Sequence, residues 1–225
     1  MILRRTPVLV VAALAALVAL AAPAGAGESR SDKALLKAGV ITKADVPSDW
    51  TSKKASSSSD EQLRSPECRE IKAAVDKAKK NTPRRRSRDF EPSESSATSA
   101  QDTVYAFKNV SGATNFFANY SDSSANACFE ALANELANSQ PEAGTPGVAP
   151  ITDLQGVGDE AVGYEITVPY TVSGQSTTLY VDFVVVRQGR VVLGFGFSNR
   201  DERIPEGPPI VQAVVGRVAD AQSSA

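Results

Sequence analysis

The chain has 225 residues, with 24 basic side chains, 26 acidic side chains and no histidine. The missing histidine excludes Ser-His-Asp and Cys-His catalysis, histidine-ligated zinc and the commonest general base. The net charge of −2 argues against a nucleic-acid binder. The G-x-S-x-G, Walker A and G-x-G-x-x-G patterns are also missing from the sequence. Composition and motifs therefore argue against the common enzyme classes.

The first residues have the pattern of a secretory signal peptide, predicted as residues 1–26. Arg4 and Arg5 form a positive region, residues 8–22 are apolar, and residues 24–26 form an A-x-A cleavage site. An uncleaved membrane anchor is the alternative, but the apolar run is short for a span of about 20 residues. The arginine pair leaves Sec and twin-arginine export open. We expect a secreted or cell-wall protein with no stable membrane span after cleavage.

The mature chain, residues 27–225, is predicted to be one domain with a core over about residues 35–220. Removal of the leader changes the net charge to about −4, since Arg4 and Arg5 are lost. Cys68 and Cys128 would reach an oxidising compartment, so a disulfide is expected, with two buried free thiols as the alternative. Such a bridge would contribute roughly 4 kcal/mol in the chain-entropy model.

The N-terminal half alternates helix and strand signals. A short helix is predicted over residues 31–38 and a strand over residues 50–55. A second helix, capped by Ser65, is predicted to run from Pro66 to the residue before Pro83. Its apolar residues lie three or four apart and form one stripe: Cys68, Ile71, Val75 and Ala78.

A strand is predicted over residues 103–107, followed by a helix capped by Ser111 and another over residues 126–137. Cys128 lies on the apolar stripe of that last helix. The two cysteines thus occupy inward-facing positions on two helices, so the disulfide is expected to join helix to helix. Residues 139–150 are rich in proline and glycine and are predicted to be a loop.

Residues 158–198 give the strongest strand signal in the chain. Alternate positions are apolar in the first run: Val162, Tyr164, Ile166, Val168, Tyr170 and Val172. Turns at Ser173-Gly174 and Gln188-Gly189 predict a three-strand antiparallel meander. A last helix is predicted to begin at Pro208-Pro209. The fold class is therefore α+β, an antiparallel sheet of about five to six strands packed against helices.

Two features of the meander are candidate ligand-binding elements. Gly194, Gly196 and Ser198 leave one face of the third strand with little side-chain bulk, which often marks close approach of a ligand or another backbone. The alternative, which we prefer, is a helix packed tightly on this face. Asp182 interrupts an apolar strand, and pairing with a cation in the fold is the favoured interpretation.

The most basic part of the chain is a candidate surface for anionic wall polymers or lipid headgroups. Its residues are Lys77, Lys79, Lys80, Arg84, Arg85, Arg86 and Arg88. A solvated helix face followed by a mobile arginine loop is the alternative interpretation. Adjacent carboxylates at Asp159-Glu160 and Asp201-Glu202 leave a carboxylate-based hydrolase as a third hypothesis.

The chain resembles the actinobacterial extracytoplasmic sensor-like domains typified by the PknH kinase ectodomain, and more loosely the PsbP-like envelope lipoproteins. The similarity lies in residues 42–50 (TKADVPSDW), residues 158–161 (GDEA) and residues 184–192 (VVVRQGRVV), with a cysteine on a helix before and after the first strand–helix pair. The resemblance implies an α/β sandwich around a cleft and non-enzymatic binding of an extracellular ligand.

Together these observations predict a secreted, non-catalytic ligand-binding or sensor-like module of the bacterial cell envelope. The alternative is an envelope protein that docks on anionic polymers or lipids through its basic helix and loop. No cofactor and no metal is expected, and the partner is an unidentified extracellular ligand or envelope component. The sequence determines neither the ligand nor the oligomeric state.

Overall fold

The computed structural model describes residues 29–55, 65–93, 98–140 and 142–224. Within these ranges there are five α-helices: α1 (Arg30–Ala38), α2 (Arg69–Asn81), α3 (Val110–Ser121), α4 (Ser123–Asn138) and α5 (Gly207–Ser223). There are eight strands: β1 (Trp50–Lys53), β2 (Arg84–Arg86), β3 (Asp89–Pro92), β4 (Ser99–Ala106), β5 (Gly147–Pro150), β6 (Glu160–Val172), β7 (Gln175–Gln188) and β8 (Val191–Arg200). The predicted signal peptide lies outside the described residues.

The strands form one antiparallel sheet in the order β1-β3-β4-β8-β7-β6-β5, with β2 also paired to β4. Strands β6, β7 and β8 are the predicted meander. Ser173 and Gly174 both have positive φ, 53° and 78°, as two-residue hairpin turns require. The second turn lies at Gly189-Arg190, one residue later than predicted. The predicted α+β class is confirmed, with eight strands in place of five or six.

Helices cover both faces of this sheet. Neighbouring residues of a strand point to opposite faces, so both sets of side chains are buried. Val192 packs in the cluster that contains α2, α3 and α4. Leu193 and Phe195 pack in the other cluster, with α1 and α5. Residues 191–198 of β8 are consequently all buried, whichever face they point to. The domain thus has three layers, with the sheet in the middle.

The predicted disulfide between Cys68 and Cys128 is present. Cys68 ends a 3-10 turn that leads directly into α2, and Cys128 lies in the second turn of α4. Both residues are fully buried in the cluster under α2, α3 and α4. The bridge therefore fixes the start of α2 against α4, on one face of the sheet.

Three short strands were not predicted; residues 84–86 and 147–150 were predicted to be loops, and those two predictions were wrong. Residues 84–86 form β2, residues 89–92 form β3 and residues 147–150 form β5. Each has only three or four residues, too few to show a period-two pattern. Backbone pairing determines their conformation, since β2 and β3 pair with β4 and β5 pairs with β6.

Two helix caps differ from the prediction. Asn109, rather than Ser111, caps α3, and its Oδ1 accepts a 2.8 Å hydrogen bond from the N–H of Gly112. Ser65 donates to the side chain of Glu67 rather than accepting from the backbone of the following turn. The prediction selected Ser111 by residue type, although the asparagine two positions earlier occupies the extended Ncap conformation.

Candidate functional site

A groove of about 620 Å³ runs between α2 and α3. Helix α2 contributes Glu70, Ala73, Ala74, Lys77, Ala78 and Asn81, and α3 contributes Gly112, Asn115, Phe116 and Asn119. Thr82 and Phe107 also line the groove. The small side chains that α2 presents here leave space between the two helices. The volume is within the range typical of small-molecule sites.

The floor of the groove is apolar and rests on a cluster of aromatic rings. The ring centroids of Phe107 and Phe116 lie 5.3 Å apart, and Phe116 lies 5.2 Å from Tyr105 and 5.6 Å from Tyr120. Ala78 and Phe116 are almost completely buried. Because these rings belong to the core under α2 and α3, the floor is a rigid part of the fold.

Carboxamide side chains line the rim of the groove, and hydrogen bonds fix the orientation of two of them. The amide nitrogen of Asn119 donates to the carbonyls of Asn115 and Phe116, at 2.9 and 3.0 Å. The amide nitrogen of Asn81 donates to the carbonyl of Lys77 at 2.9 Å. A carbonyl can only accept, so the nitrogens must face their own helices. Their Oδ1 atoms therefore remain as acceptors at the rim.

Sequence reasoning missed most of this groove. Of the predicted site residues, only Lys77 lines it. One signal was present in the sequence: Ala73 is an exposed alanine on a helix whose other exposed residues are mostly charged or polar. Its significance depends on α3 lying opposite, and the sequence does not specify which helix faces α2.

The glycine-rich face of β8 does not contribute to the groove. Gly194 and Gly196 are buried on the side of the sheet that α2, α3 and α4 cover, with Thr103 and Gln101 as their cross-strand partners on β4. Ser198 is 3% exposed, and its hydroxyl lies 2.8 Å from that of Ser99. A ligand site at Gly194, Gly196 and Ser198 stays a prediction.

Asp182 lies on the opposite face of the sheet from those glycines. Its partner in β8 is Phe197, on the side of α1 and α5. Arg203 donates to Asp182 at 2.9 Å and also contacts Glu165 at 3.1 Å, so the expected cation pairing is present. Burial raises the pKa of Asp182, although Arg203 opposes the shift. The structure therefore does not bring Asp182 and the glycines into one site.

The carboxylates near Asp182 do not form a cleft suited to hydrolysis. Asp182 and Glu165 both bind Arg203. The cavity beside them is about 10 Å³, room for at most one water. Asp159 and Glu160 both bind Arg187, and Asp201 accepts a hydrogen bond from Thr177. These contacts account for the acidic residues that the sequence left as hydrolase candidates, except Glu202.

The predicted basic surface is divided between the faces of the sheet. Arg84 and Arg86 pair with Tyr105 and Thr103 of β4, on the side of α2, whereas Arg85 pairs with Val104, on the other side. Three of the basic side chains have partners: Lys79 contacts Asp76, Arg86 contacts Asp89, and Arg88 donates to the carbonyl of Ser52. Lys77, Lys80 and Arg85 are exposed. Binding of anionic polymers through these residues stays a prediction.

A buried carboxylate joins the N-terminal segment to the sheet. Asp102 of β4 is fully buried, and Oδ1 accepts a 2.8 Å hydrogen bond from the N–H of Ile41. Oδ2 has no hydrogen-bond partner among the described residues. Burial raises the pKa of Asp102 from 3.8 to about 7, with the Ile41 bond acting against the rise.

Arg217 of α5 completes the attachment of this segment. It donates to both carboxylate oxygens of Asp45 and to the backbone carbonyls of Ala38 and Val40. Burial alone would raise the pKa of Asp45, but the hydrogen bonds from Arg217 and Thr42 hold it below its ordinary value. These residues therefore have a structural role, remote from the α2–α3 groove.

Across residues 29–55, 65–93, 98–140 and 142–224, no three Cys, Asp or Glu side chains converge as metal ligands. None of the helices in these ranges has the length and apolar character needed to cross a bilayer.

No protein-family model and no curated protein matches this chain. Among solved structures, it is similar to the extracellular domain of PknH from Mycobacterium tuberculosis, with 12% identity and a TM-score of 0.34 over 59% of this chain and 63% of that domain. It is also similar to LpqN, involved in cell envelope biogenesis in the same organism, with 11% identity and a TM-score of 0.31 over 78% of each chain. The PknH ectodomain, which the sequence resembles, is thus among the solved structures to which this chain is similar.

Proposed function

We propose that this chain is a non-catalytic ligand-binding or sensor-like module of the bacterial cell envelope, and that its ligand occupies the α2–α3 groove. The groove is the observation on which the proposal depends. It combines an apolar floor of Phe107 and Phe116 with a rim of polar side chains, the composition typical of small-molecule sites. The predicted signal peptide supports the location outside the cytoplasm.

The side chains of the groove favour binding over catalysis. Glu70 and Lys77 are the titratable groups among the described residues that line it. They lie seven residues apart on α2, which places their backbones about 10 Å apart along the helix. General acid–base catalysis requires both groups within hydrogen-bond reach of the reacting atoms. No serine or cysteine nucleophile is among the lining residues.

The test is a variant that fills the groove. Ala73 is exposed and lines the groove, whereas Ala118 is exposed on α3 and does not. Wall-derived peptides, glycans and phospholipids should be screened for a rise in Tm, since a ligand of the native state stabilises it. At least one compound should stabilise the wild type and Ala118→Trp but fail to stabilise Ala73→Trp.

The two alanine variants separate occupancy of the groove from general damage. Both introduce a tryptophan at an exposed helical position, so their effects on folding should be similar. A compound that stabilises both variants equally would bind elsewhere, and the groove would not be its site. A complete screen with no stabilising compound would contradict the proposed function.

A further inference from the structure

The α2–α3 groove carries opposite charges at two positions along one wall. Glu70 lies in the first turn of α2, and Lys77 lies two turns further along the same face. Both side chains line the groove, and the exposed ammonium of Lys77 is available to a ligand. The wall therefore carries a negative charge at one end and a positive charge at the other. An apolar chain or an uncharged sugar has no charged groups to pair with them.

Helix α3 runs antiparallel to α2 and strengthens this polarity. The hydroxyl of Ser124, just after α3, donates to Glu70 at 3.2 Å, so the end of α3 lies beside the start of α2. Asn119 belongs to that end of α3. Its amide nitrogen is bonded to its own helix, so Oδ1 faces outward as an acceptor. The Glu70 end thus presents acceptors, while the other end presents the ammonium of Lys77 beside the Oδ1 of Asn81.

Between the two charges the groove is apolar. Ala73 and Ala74 form the α2 wall there, and Phe116 forms the floor. The side chain of Asn115 on the opposite helix can both donate and accept, as the peptide group does. An extended backbone with small side chains has the complementary groups for each of these surfaces.

We propose, on the basis of the function proposed above, that the groove binds free short peptides, with the terminal ammonium at Glu70 and Asn119 and the terminal carboxylate at Lys77. Seven residues of helix correspond to about 10 Å. An extended chain spans about 3.3–3.6 Å per residue, so a peptide of about three residues matches that separation.

The charge arrangement distinguishes this ligand from other amphiphiles. A fatty acid has a carboxylate for Lys77 but no cation for Glu70. A single amino acid has both charges, but they lie too close together to reach both residues. A longer peptide would have to place one terminus beyond its partner. The free termini and the length are therefore the specific elements of the proposal.

The test is isothermal titration of the mature chain with tri-alanine and with its terminally blocked forms. Tri-alanine should bind, and N-acetyl-tri-alanine amide should bind at least tenfold more weakly. Glu70→Gln should abolish the preference for a free amine while keeping that for a free carboxylate. Lys77→Met should do the reverse. Lys80→Met is the matched control, since Lys80 is an exposed lysine of α2 outside the groove.

The results separate this inference from the proposed function. Equal affinity for free and blocked tri-alanine would overturn the assignment of the termini. No peptide binding, together with another compound whose binding Ala73→Trp abolishes, would overturn the peptide assignment and leave the groove as a binding site. Tri-alanine binding that Ala73→Trp does not affect would place the peptide elsewhere and overturn the proposal.

Discussion

Asp102 of β4 accepts a 2.8 Å hydrogen bond from the backbone N–H of Ile41, 61 residues earlier in the chain. This bond attaches the segment between α1 and β1 to β4. The carboxyl group is completely buried, and its second oxygen has no partner among the described residues. Arg217 of α5 and Arg86 of β2 favour the ionised form of Asp102, Asp45 of the attached segment disfavours it, and burial outweighs the two cations.

The first prediction concerns the pH dependence that Asp102 causes. Its pKa is raised from 3.8 to about 7 in the folded state, so the folded protein binds the proton more tightly than the unfolded chain. The contribution to stability is fully present below about pH 4, is lost as the pH rises, and is absent above about pH 7. The loss is on the order of 4 kcal/mol for a shift of this size.

Asp102→Asn isolates this effect, because the amide keeps an acceptor for Ile41 and cannot ionise. Urea unfolding of both proteins between pH 4 and pH 8 gives the difference in free energy of unfolding at each pH. Groups that do not interact with Asp102 titrate alike in both proteins and cancel in the difference. We expect the free energy of unfolding of the variant to rise relative to that of the wild type as the pH rises. Parallel pH profiles would show that Asp102 stays ionised in the folded protein.

The second prediction concerns the Cys68–Cys128 disulfide. The double variant Cys68→Ala/Cys128→Ala should lower the free energy of unfolding by about 2–5 kcal/mol. Because the bridge fixes the start of α2, ligand affinity in the α2–α3 groove should fall as well. Chemical denaturation with and without dithiothreitol measures the first effect. Dithiothreitol should destabilise the wild type alone, and an equal effect on the double variant would exclude the disulfide as its cause.

The sequence predicted those parts of the fold whose signals are local. The alternating residues of β6 and the three-to-four spacing around Ile71 and Val75 reflect one-sided burial, which periodicity reports directly. Strands β2, β3 and β5 were not predicted, because each is too short to show a period-two pattern and is formed by pairing with another strand. The groove escaped for the same reason, since Ala73 and Asn119 become neighbours only when α2 and α3 pack together.

The third prediction concerns the pair formed by Asp182 and Arg203. Arg203→Met should lower the free energy of unfolding by about 1–3 kcal/mol at pH 7, because the buried carboxylate of Asp182 loses its hydrogen-bond donor. The raised pKa of Asp182 implies that the penalty shrinks at lower pH, where the carboxyl can protonate. Urea titrations at pH 5 and pH 7 compare the two conditions.

The variant Arg203→Met/Asp182→Asn is the control for this pair. It removes the buried charge together with its partner and should recover part of the stability lost in Arg203→Met. The single variant Asp182→Asn gives the loss of stability in the presence of Arg203. If Asp182→Asn caused the same loss in the Arg203→Met background, the two side chains would contribute independently. The pairing inferred from the 2.9 Å contact would then have no energetic consequence.

The fourth prediction compares two glycines whose surroundings differ. A Cβ atom on Gly39 would lie 2.7 Å from Cγ2 of Val104, inside the layer where α1 meets the sheet, whereas one on Gly216 would meet nothing within 4 Å. Gly39→Ala should therefore destabilise the protein by about 1–3 kcal/mol through overpacking. Gly216 is exposed within α5, so Gly216→Ala should stabilise by about 1 kcal/mol. Urea titration measures both, and a loss of stability in Gly216→Ala or a gain in Gly39→Ala would contradict the packing of α1 and α5 described above.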